Sequence, residues 1–334
     1  MAGRRLTRRQ LGRIRDAQER RRERVTQQTS REVDRIPEGE LSSERFGRVI
    51  ANYGASLVIE DEHRHLQRCV PRQNLGTLAC GDEVTWQACA TGDGVVVALN
   101  QRRSLLTRPD YGGRPKPVAA NVELVVVVVA PRPELDEFLI DRYLVAVSNL
   151  GIDALIVVNK TDLLRTDELA ALQHRLSTYA LIGYSILLTS AHAALGLVTL
   201  CEHLANRTSI LVGQSGVGKS SLVRALLPDR AIRVQALSAA TGLGTHATTT
   251  AALYDIPTGG NLIDSPGVRS FDLGEIERGA LERGFVEFRP FLGHCRFSDC
   301  AHTVEPGCAL QEALKDGKIE PRRLQSYFQL RKIE

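Results

Sequence analysis

Between residues 44 and 105 the apolar positions come in short alternating runs, at 47–50, 56–60, 66–70, 83–88 and 95–100. Turn formers separate them: Asn52-Tyr53-Gly54, Gly81-Asp82 and Gly92-Asp93-Gly94. Five short strands in about 60 residues predict a small β-barrel of OB type, a pattern that SH3-like barrels share. Trp86, the single tryptophan, is expected in its core. From residue 122 the texture changes. Continuous Val/Ile/Leu runs at 124–129, 154–158, 185–188, 210–212 and 261–263 alternate with stretches of helical periodicity at 135–149, 167–179, 196–204 and 219–226. Runs that are apolar at every position predict parallel strands buried on both faces, so this region reads as a doubly wound α/β domain. Residues 275–334 are helix-rich around a Cys/His knot and read as a third unit.

A chain of 334 residues with 43% hydrophobic and 25% charged content belongs to the ordinary globular class, which excludes collagen-like and wholly disordered readings. The longest apolar run, 122–130, is too short for the roughly 18 residues of a membrane span. The Arg-rich N-terminus has no apolar segment of signal-peptide type, and the chain is expected in the cytoplasm. The net charge of +4 is unevenly distributed. Residues 1–40 hold 12 Arg against 7 Asp or Glu, or +5, which leaves −1 for the rest. Arg4, Arg5, Arg8, Arg9 and Arg20 to Arg22 form a basic, flexible tail that either neutralises RNA phosphates or simply stays solvated.

The α/β region carries the chemistry. Gly213-Gln214-Ser215-Gly216-Val217-Gly218-Lys219-Ser220 follows a predicted strand and opens a predicted helix, the context a phosphate loop requires. Its backbone N–H groups and the helix N-terminus suit phosphates. Lys219 is expected to reach the β- and γ-phosphates and Ser220 to ligate Mg²⁺, with Ser221 beside it. Asn159-Lys160-Thr161-Asp162 stands at the carboxyl end of the 154–158 strand, where such sheets bind ligands. Asp162 can accept from both N1–H and the exocyclic amine of guanine, which adenine cannot supply, so the expected nucleotide is GTP. Ser190 and Ala191 resemble the last guanine-contacting loop. Asp264-Ser265-Pro266-Gly267 ends another strand, placing Asp264 to hold Mg²⁺ through water and the Gly267 N–H to meet the γ-phosphate. The polar segment 242–250 suits a switch, with Thr248 or Thr249 as a Mg²⁺ ligand. Val268 occupies the position where many GTPases place a water-orienting Gln. His246 is the nearest polar candidate for that task, its alternative being a loop histidine that faces solvent or rRNA. In ordinary small GTPases the phosphate loop comes first; here N-K-x-D and Ser-Ala precede it, so the domain reads as circularly permuted.

Cys295, Cys300, His302 and Cys308 are spaced C-x4-C-x-H-x5-C. Three thiolates and an imidazole complete a closed tetrahedral shell, the composition of structural zinc, with His294 as a competing ligand. An odd total of seven cysteines, three of them in this knot, suits a metal site better than a disulfide framework.

Taken together, the barrel, the link 106–109, N-K-T-D, the phosphate loop, the Gly-x-Gly-x-His segment, Asp264 to Gly267 and the Cys/Cys/His/Cys knot resemble the family of small-subunit-dependent bacterial ribosomal GTPases called RsgA or YjeQ. The resemblance implies a circularly permuted P-loop GTPase domain with an N-terminal OB-type β-barrel and a C-terminal helical zinc-binding domain. The expected boundaries are 1–40 for the tail, 41–105 for the barrel, 106–273 for the GTPase domain and 274–334 for the zinc domain. It implies slow GTP hydrolysis stimulated by the 30S subunit, late in that subunit's maturation, and release of ribosome-binding factor A. It also implies Mg²⁺ with GTP, one structural zinc and rRNA contacts; no membrane contact and a monomeric chain are expected beside it. Two other classes compete: a P-loop kinase or ATPase, which Asp162 disfavours, and a non-enzymatic RNA-binding scaffold, which Lys219, Ser220 and Asp264 disfavour.

Overall fold

The structure, a computed structural model, describes residues 41–90, 92–109, 114–229, 235, 237, 251–265 and 277–332. These divide into two compact units, the first within 1–121, 229–254 and 263–267, the second within 122–228, 255–262 and 268–334.

In the first unit, β1 (Arg45–Asn52), β2 (Leu57–Asp61), β3 (Leu66–Pro71), β4 (Glu83–Ala88) and β5 (Gly94–Leu99) run in the order β1-β2-β3-β5-β4, and β4 returns to pair with β1. That closure, antiparallel except between β3 and β5, is a five-stranded OB-type barrel and removes every free edge from the ring. Its core gathers Val49, Leu57, Ile59, Cys69, Val84, Val96 and Trp86. The indole is 2% exposed and donates its N–H to the Phe46 carbonyl at 3.3 Å. Space for it is made by glycine: a Cβ on Gly47 would collide with Ile59 and one on Gly94 with Cys69. A hairpin follows that the hydrophobic pattern does not predict. The β6 strand (Leu105–Pro109) pairs with β7 (Pro115–Ala120), and prolines at 109, 115 and 117 hide the strand signal because proline cannot serve a central ladder.

In the second unit, β8 (Leu124–Val129) is buried at all six positions. It is followed by α1 (Glu137–Asn149), β9 (Asp153–Val158), α2 (Thr166–Leu181), β10 (Ser185–Leu188), α3 (Leu197–Leu204), β11 (Thr208–Val212) and α4 (Lys219–Leu226). The four strands are parallel in the order β10-β9-β8-β11, with predicted and observed elements agreeing to within two residues. Local chemistry sets the helix starts. Asp136 accepts the Leu139 N–H ahead of α1, and Glu168 reaches back to the Arg165 N–H at 2.9 Å ahead of α2, half of a capping box. Two further strands follow in the chain, β12 (Ala252–Asp255) and β13 (Asn261–Asp264), each with residues in the ranges of both units; the sequence pattern predicts the second and not the first.

The second unit ends in α5 (Arg278–Gly284), a 3₁₀ stretch (Val286–Phe291), α6 (Ala309–Lys315) and α7 (Pro321–Arg331). These pack around Leu281, Phe285, Phe288, Leu310, Leu324 and Tyr327, and Val145 of α1 joins the same cluster. Phe285 and Phe288 stack at 4.8 Å, with Tyr327 edge-on to both. An ion network ties α7 to α1: the wholly buried Arg323 donates to Asp141 at 2.6 Å and to Glu287 at 2.6 and 3.0 Å. Arg322 and the Tyr179 hydroxyl donate to the same Asp141 at 2.8 and 2.6 Å. No helix among the described residues is long and apolar enough to cross a membrane.

Candidate functional site

The phosphate loop leaves β11 at Gly213 and enters α4 at Lys219. Gly218, at φ +96°, is the turn residue before the helix, and a Cβ there would strike the Asn159 amide while demanding a left-handed backbone. Gln214, Ser215 and Gly216 are exposed and Val217 is buried, so the loop is anchored by one side chain and open elsewhere. Lys219 Nζ lies 2.6 Å from the Gly213 carbonyl oxygen and 2.8 Å from that of Gln214, held across its own loop. The hydroxyl-bearing Ser220 and Ser221 begin the helix exposed.

Asn159, 1% exposed, is the organising residue of this end of the sheet. Its amide donates to the Val217 carbonyl in the phosphate loop at 2.9 Å, and its side-chain oxygen accepts the Ala191 N–H at 3.1 Å. One buried side chain therefore ties three loops that lie 58 and 32 positions apart from it and its partners. Lys160 adopts a left-handed backbone and donates to the Gly216 and Arg132 carbonyls at 2.5 and 3.0 Å. Thr161 donates through N–H and hydroxyl to the Thr189 carbonyl, at 3.1 and 2.9 Å. These bonds leave Asp162 exposed at the start of a 3₁₀ turn. The wholly buried Ser190 donates its hydroxyl to Asp162 Oδ1 at 2.5 Å, which fixes the carboxylate's direction and leaves Oδ2 and further lone pairs for a ligand.

Tyr143 of α1 is a contributor that the sequence reading missed. Burial pushes its phenol above the ordinary value, and the Gly213 backbone N–H near its hydroxyl partly offsets this. A buried Tyr in an amphipathic helix reads as core, so nothing local signals this contact.

Asp264 closes β13, and Ser265 after it is described. Gly267, the segment 242–250 with His246, Thr248 and Thr249, and the arginine tail lie outside the described residues.

The Cys/His knot is brought together as expected. One ligand atom each from Cys295, Cys300, His302 and Cys308 lies within 4.8 Å of every other. A tetrahedral zinc with bonds of about 2.3 Å to sulfur and 2.0 Å to nitrogen has edges of about 3.8 Å between sulfurs and about 3.5 Å from sulfur to nitrogen. Cys295 and Cys308 Sγ are 4.0 Å apart, and His302 Nδ1 is 3.5 and 3.4 Å from them. The donors thus fit a zinc ion, and His294 is not in the group. Burial, then the neighbouring thiols, push Cys300 up to about 12. Burial also draws His302 below its usual value, keeping Nδ1 available as a neutral donor. The intervening turn is held by Glu305, which accepts the N–H groups of Ala301, Thr303 and Val304 at 2.9, 2.8 and 3.0 Å; backbone hydrogen bonds keep its carboxyl at about 2.

Comparison with known proteins gives a consistent result. Residues 99–274 match the model of the RsgA GTPase family. The chain is 50% identical over 327 residues to the small ribosomal subunit biogenesis GTPase RsgA of Pseudomonas aeruginosa strain LESB58, covering 98% of this chain and 96% of that one. It is 50% identical over 331 residues, with the same coverage, to the protein of that name from Azotobacter vinelandii. Among solved structures it is similar to YjeQ from Thermotoga maritima, with TM-score 0.71, 33% identity and coverage of 86% of this chain and 97% of that one. It is also similar to the circularly permuted GTPase YloQ, with TM-score 0.69, 29% identity and coverage of 86% and 94%.

Proposed function

The chain belongs to the RsgA GTPase family and hydrolyses GTP, and we propose that it does so as a biogenesis factor of the small (30S) ribosomal subunit, using hydrolysis to time its departure. The observation that carries the reading is the three-way tie at Asn159, because it holds a phosphate loop beside an Asp162 carboxylate already aimed by Ser190. In this reading Gly213 to Ser221 wrap the phosphates, with Lys219 swinging from its own loop's carbonyls to the β- and γ-oxygens. Asn159, Lys160, Thr161, Asp162, Ser190 and Ala191 form the guanine side, and Gly267 meets the γ-phosphate. Mg²⁺ would be held by the hard oxygens of Ser220, Asp264 and Thr248 or Thr249, and would supply charge neutralisation at the β- and γ-phosphates. His246 orients the attacking water as a neutral imidazole. Intrinsic turnover is slow, and docking on the subunit accelerates it.

The barrel and the arginine tail contact rRNA, residues 106–273 act as the nucleotide module, and 274–334 are built on one structural zinc. The protein works as a cytoplasmic monomer, and its departure accompanies release of ribosome-binding factor A. The test is co-sedimentation of the full chain with purified small subunits in a non-hydrolysable GTP analogue and in GDP. Retention with the analogue and loss with GDP are expected; equal behaviour in the two nucleotides would end the timer reading.

A further inference from the structure

Zinc-ligating imidazoles usually donate their second ring N–H to a fixed carboxylate or carbonyl, which sets the tautomer and ring direction. In the Cys/His knot the Cys308 and Cys295 sulfurs face His302 Nδ1 at 3.4 and 3.5 Å, and the opposite ring nitrogen, Nε2, lies 3.3 Å from Glu282 Oε1. Glu282 is outside the C-x4-C-x-H-x5-C pattern; it projects from α5, thirteen residues before the first cysteine. Its side chain is itself fixed from two other directions. Arg278 Nε donates to the same oxygen at 2.9 Å, and the Tyr327 hydroxyl of α7 does so at 3.0 Å. Arg278 also donates to the Cys300 backbone carbonyl, so α5 grips the knot at two points, one ligand's ring and another ligand's backbone.

We propose that Glu282 is a positioning residue of the metal centre, holding His302 as the Nε2–H tautomer with Nδ1 directed at zinc, and thereby setting how tightly the ion is kept. This rests on the zinc reading above. His302 has a left-handed backbone, φ 63°, which histidine adopts more readily than most non-glycine residues. The Glu282 carboxylate reaches its ring from outside the loop. Arg278 and Tyr327 act one step further out, by keeping Oε1 in place.

The experiment uses the zinc-loaded full chain and measures metal content, then zinc dissociation by competition with a chromogenic chelator, in wild type, Glu282→Ala, Glu282→Gln and Tyr327→Phe. Wild type should carry one zinc per chain. Glu282→Ala should weaken zinc by about 10- to 100-fold. Glu282→Gln keeps an oxygen that can accept from Nε2–H but gives up the charge, so its loss should be smaller than that of Glu282→Ala and larger than that of Tyr327→Phe. Tyr327→Phe removes one bond to the carboxylate but leaves the imidazole pair, and should stay within about threefold of wild type. Nitrogen chemical shifts of His302 give an independent readout: the Nε2–H tautomer in wild type and Glu282→Gln, and a mixture or exchange broadening in Glu282→Ala. If Glu282→Ala does not fold, the graded order of wild type, Glu282→Gln and Tyr327→Phe decides. Zinc retention in Glu282→Ala equal to wild type, or equal losses in Glu282→Gln and Tyr327→Phe, would overturn the assignment. Wild-type protein without zinc would instead remove the metal reading beneath it.

Discussion

Removing the Arg323 side chain should detach α7 from the rest of its unit. Arg323 is wholly buried between Asp141 and Glu287, and its guanidinium lies 4.6 Å from the Phe285 ring centre. Burial opposes the charge, but hydrogen bonds to Glu287 and the field of Asp141 hold the group protonated more firmly than usual. In Arg323→Ala, Asp141 keeps Arg322 and Tyr179 as partners, whereas Glu287, whose side chain is 6% exposed, loses both bonds from Arg323. Stranding one buried carboxylate costs about 3–5 kcal/mol. At 1.36 kcal/mol per tenfold, amide exchange across 321–331 should accelerate by about two to four orders of magnitude. Mass-resolved hydrogen exchange reads this directly, which Trp fluorescence would not, because Trp86 belongs to the other unit. Adding Glu287→Gln removes the stranded charge, so the double variant should be more protected than Arg323→Ala alone. Exchange in Arg323→Ala within about fivefold of wild type, or strictly additive effects in the double variant, would refute the network as the fastening of α7.

At the nucleotide site, Asp162→Asn replaces a charge-assisted pair with guanine and should weaken GTP by about 1.5–3 kcal/mol, while xanthine nucleotides gain affinity. Equal GTP binding by calorimetry in variant and wild type would sink the base assignment. Gly218→Ala would force a Cβ into Asn159 at φ +96°, a strain of about 1–3 kcal/mol, so nucleotide affinity should fall by roughly one to two orders of magnitude; unchanged affinity would show that the loop can re-form around a side chain. His246→Ala should abolish subunit-stimulated hydrolysis while GTP affinity and subunit binding stay near wild type, and full stimulation in that variant would take His246 out of the mechanism.

Much of this site was readable because its residues are consecutive. The phosphate loop, N-K-T-D and the cysteine spacing each sit within a dozen or so positions, and turn or ligand geometry restricts the residue types at each one. The flat Val/Ile/Leu runs likewise predict a parallel sheet, because burial on both faces leaves no alternation. What escaped was joined across sequence. Arg323 meets Asp141 at a separation of 182 positions, and a Lys/Arg-rich helix face reads as solvated until its partner is known. Tyr143 beside Gly213 and Glu282 behind His302 were hidden for the same reason, since each reads as an ordinary helical residue until its neighbour in space is known. The β6–β7 hairpin was hidden by its own prolines.

The most direct measurement is GTP turnover by the full chain with and without purified small ribosomal subunits, with ATP and large subunits as controls. Phosphate should be released slowly from GTP alone, with acceleration that saturates with small subunits and none with large subunits or with ATP. GTP turnover that is indifferent to small subunits across their binding range, or ATP hydrolysed equally well, would contradict this expectation.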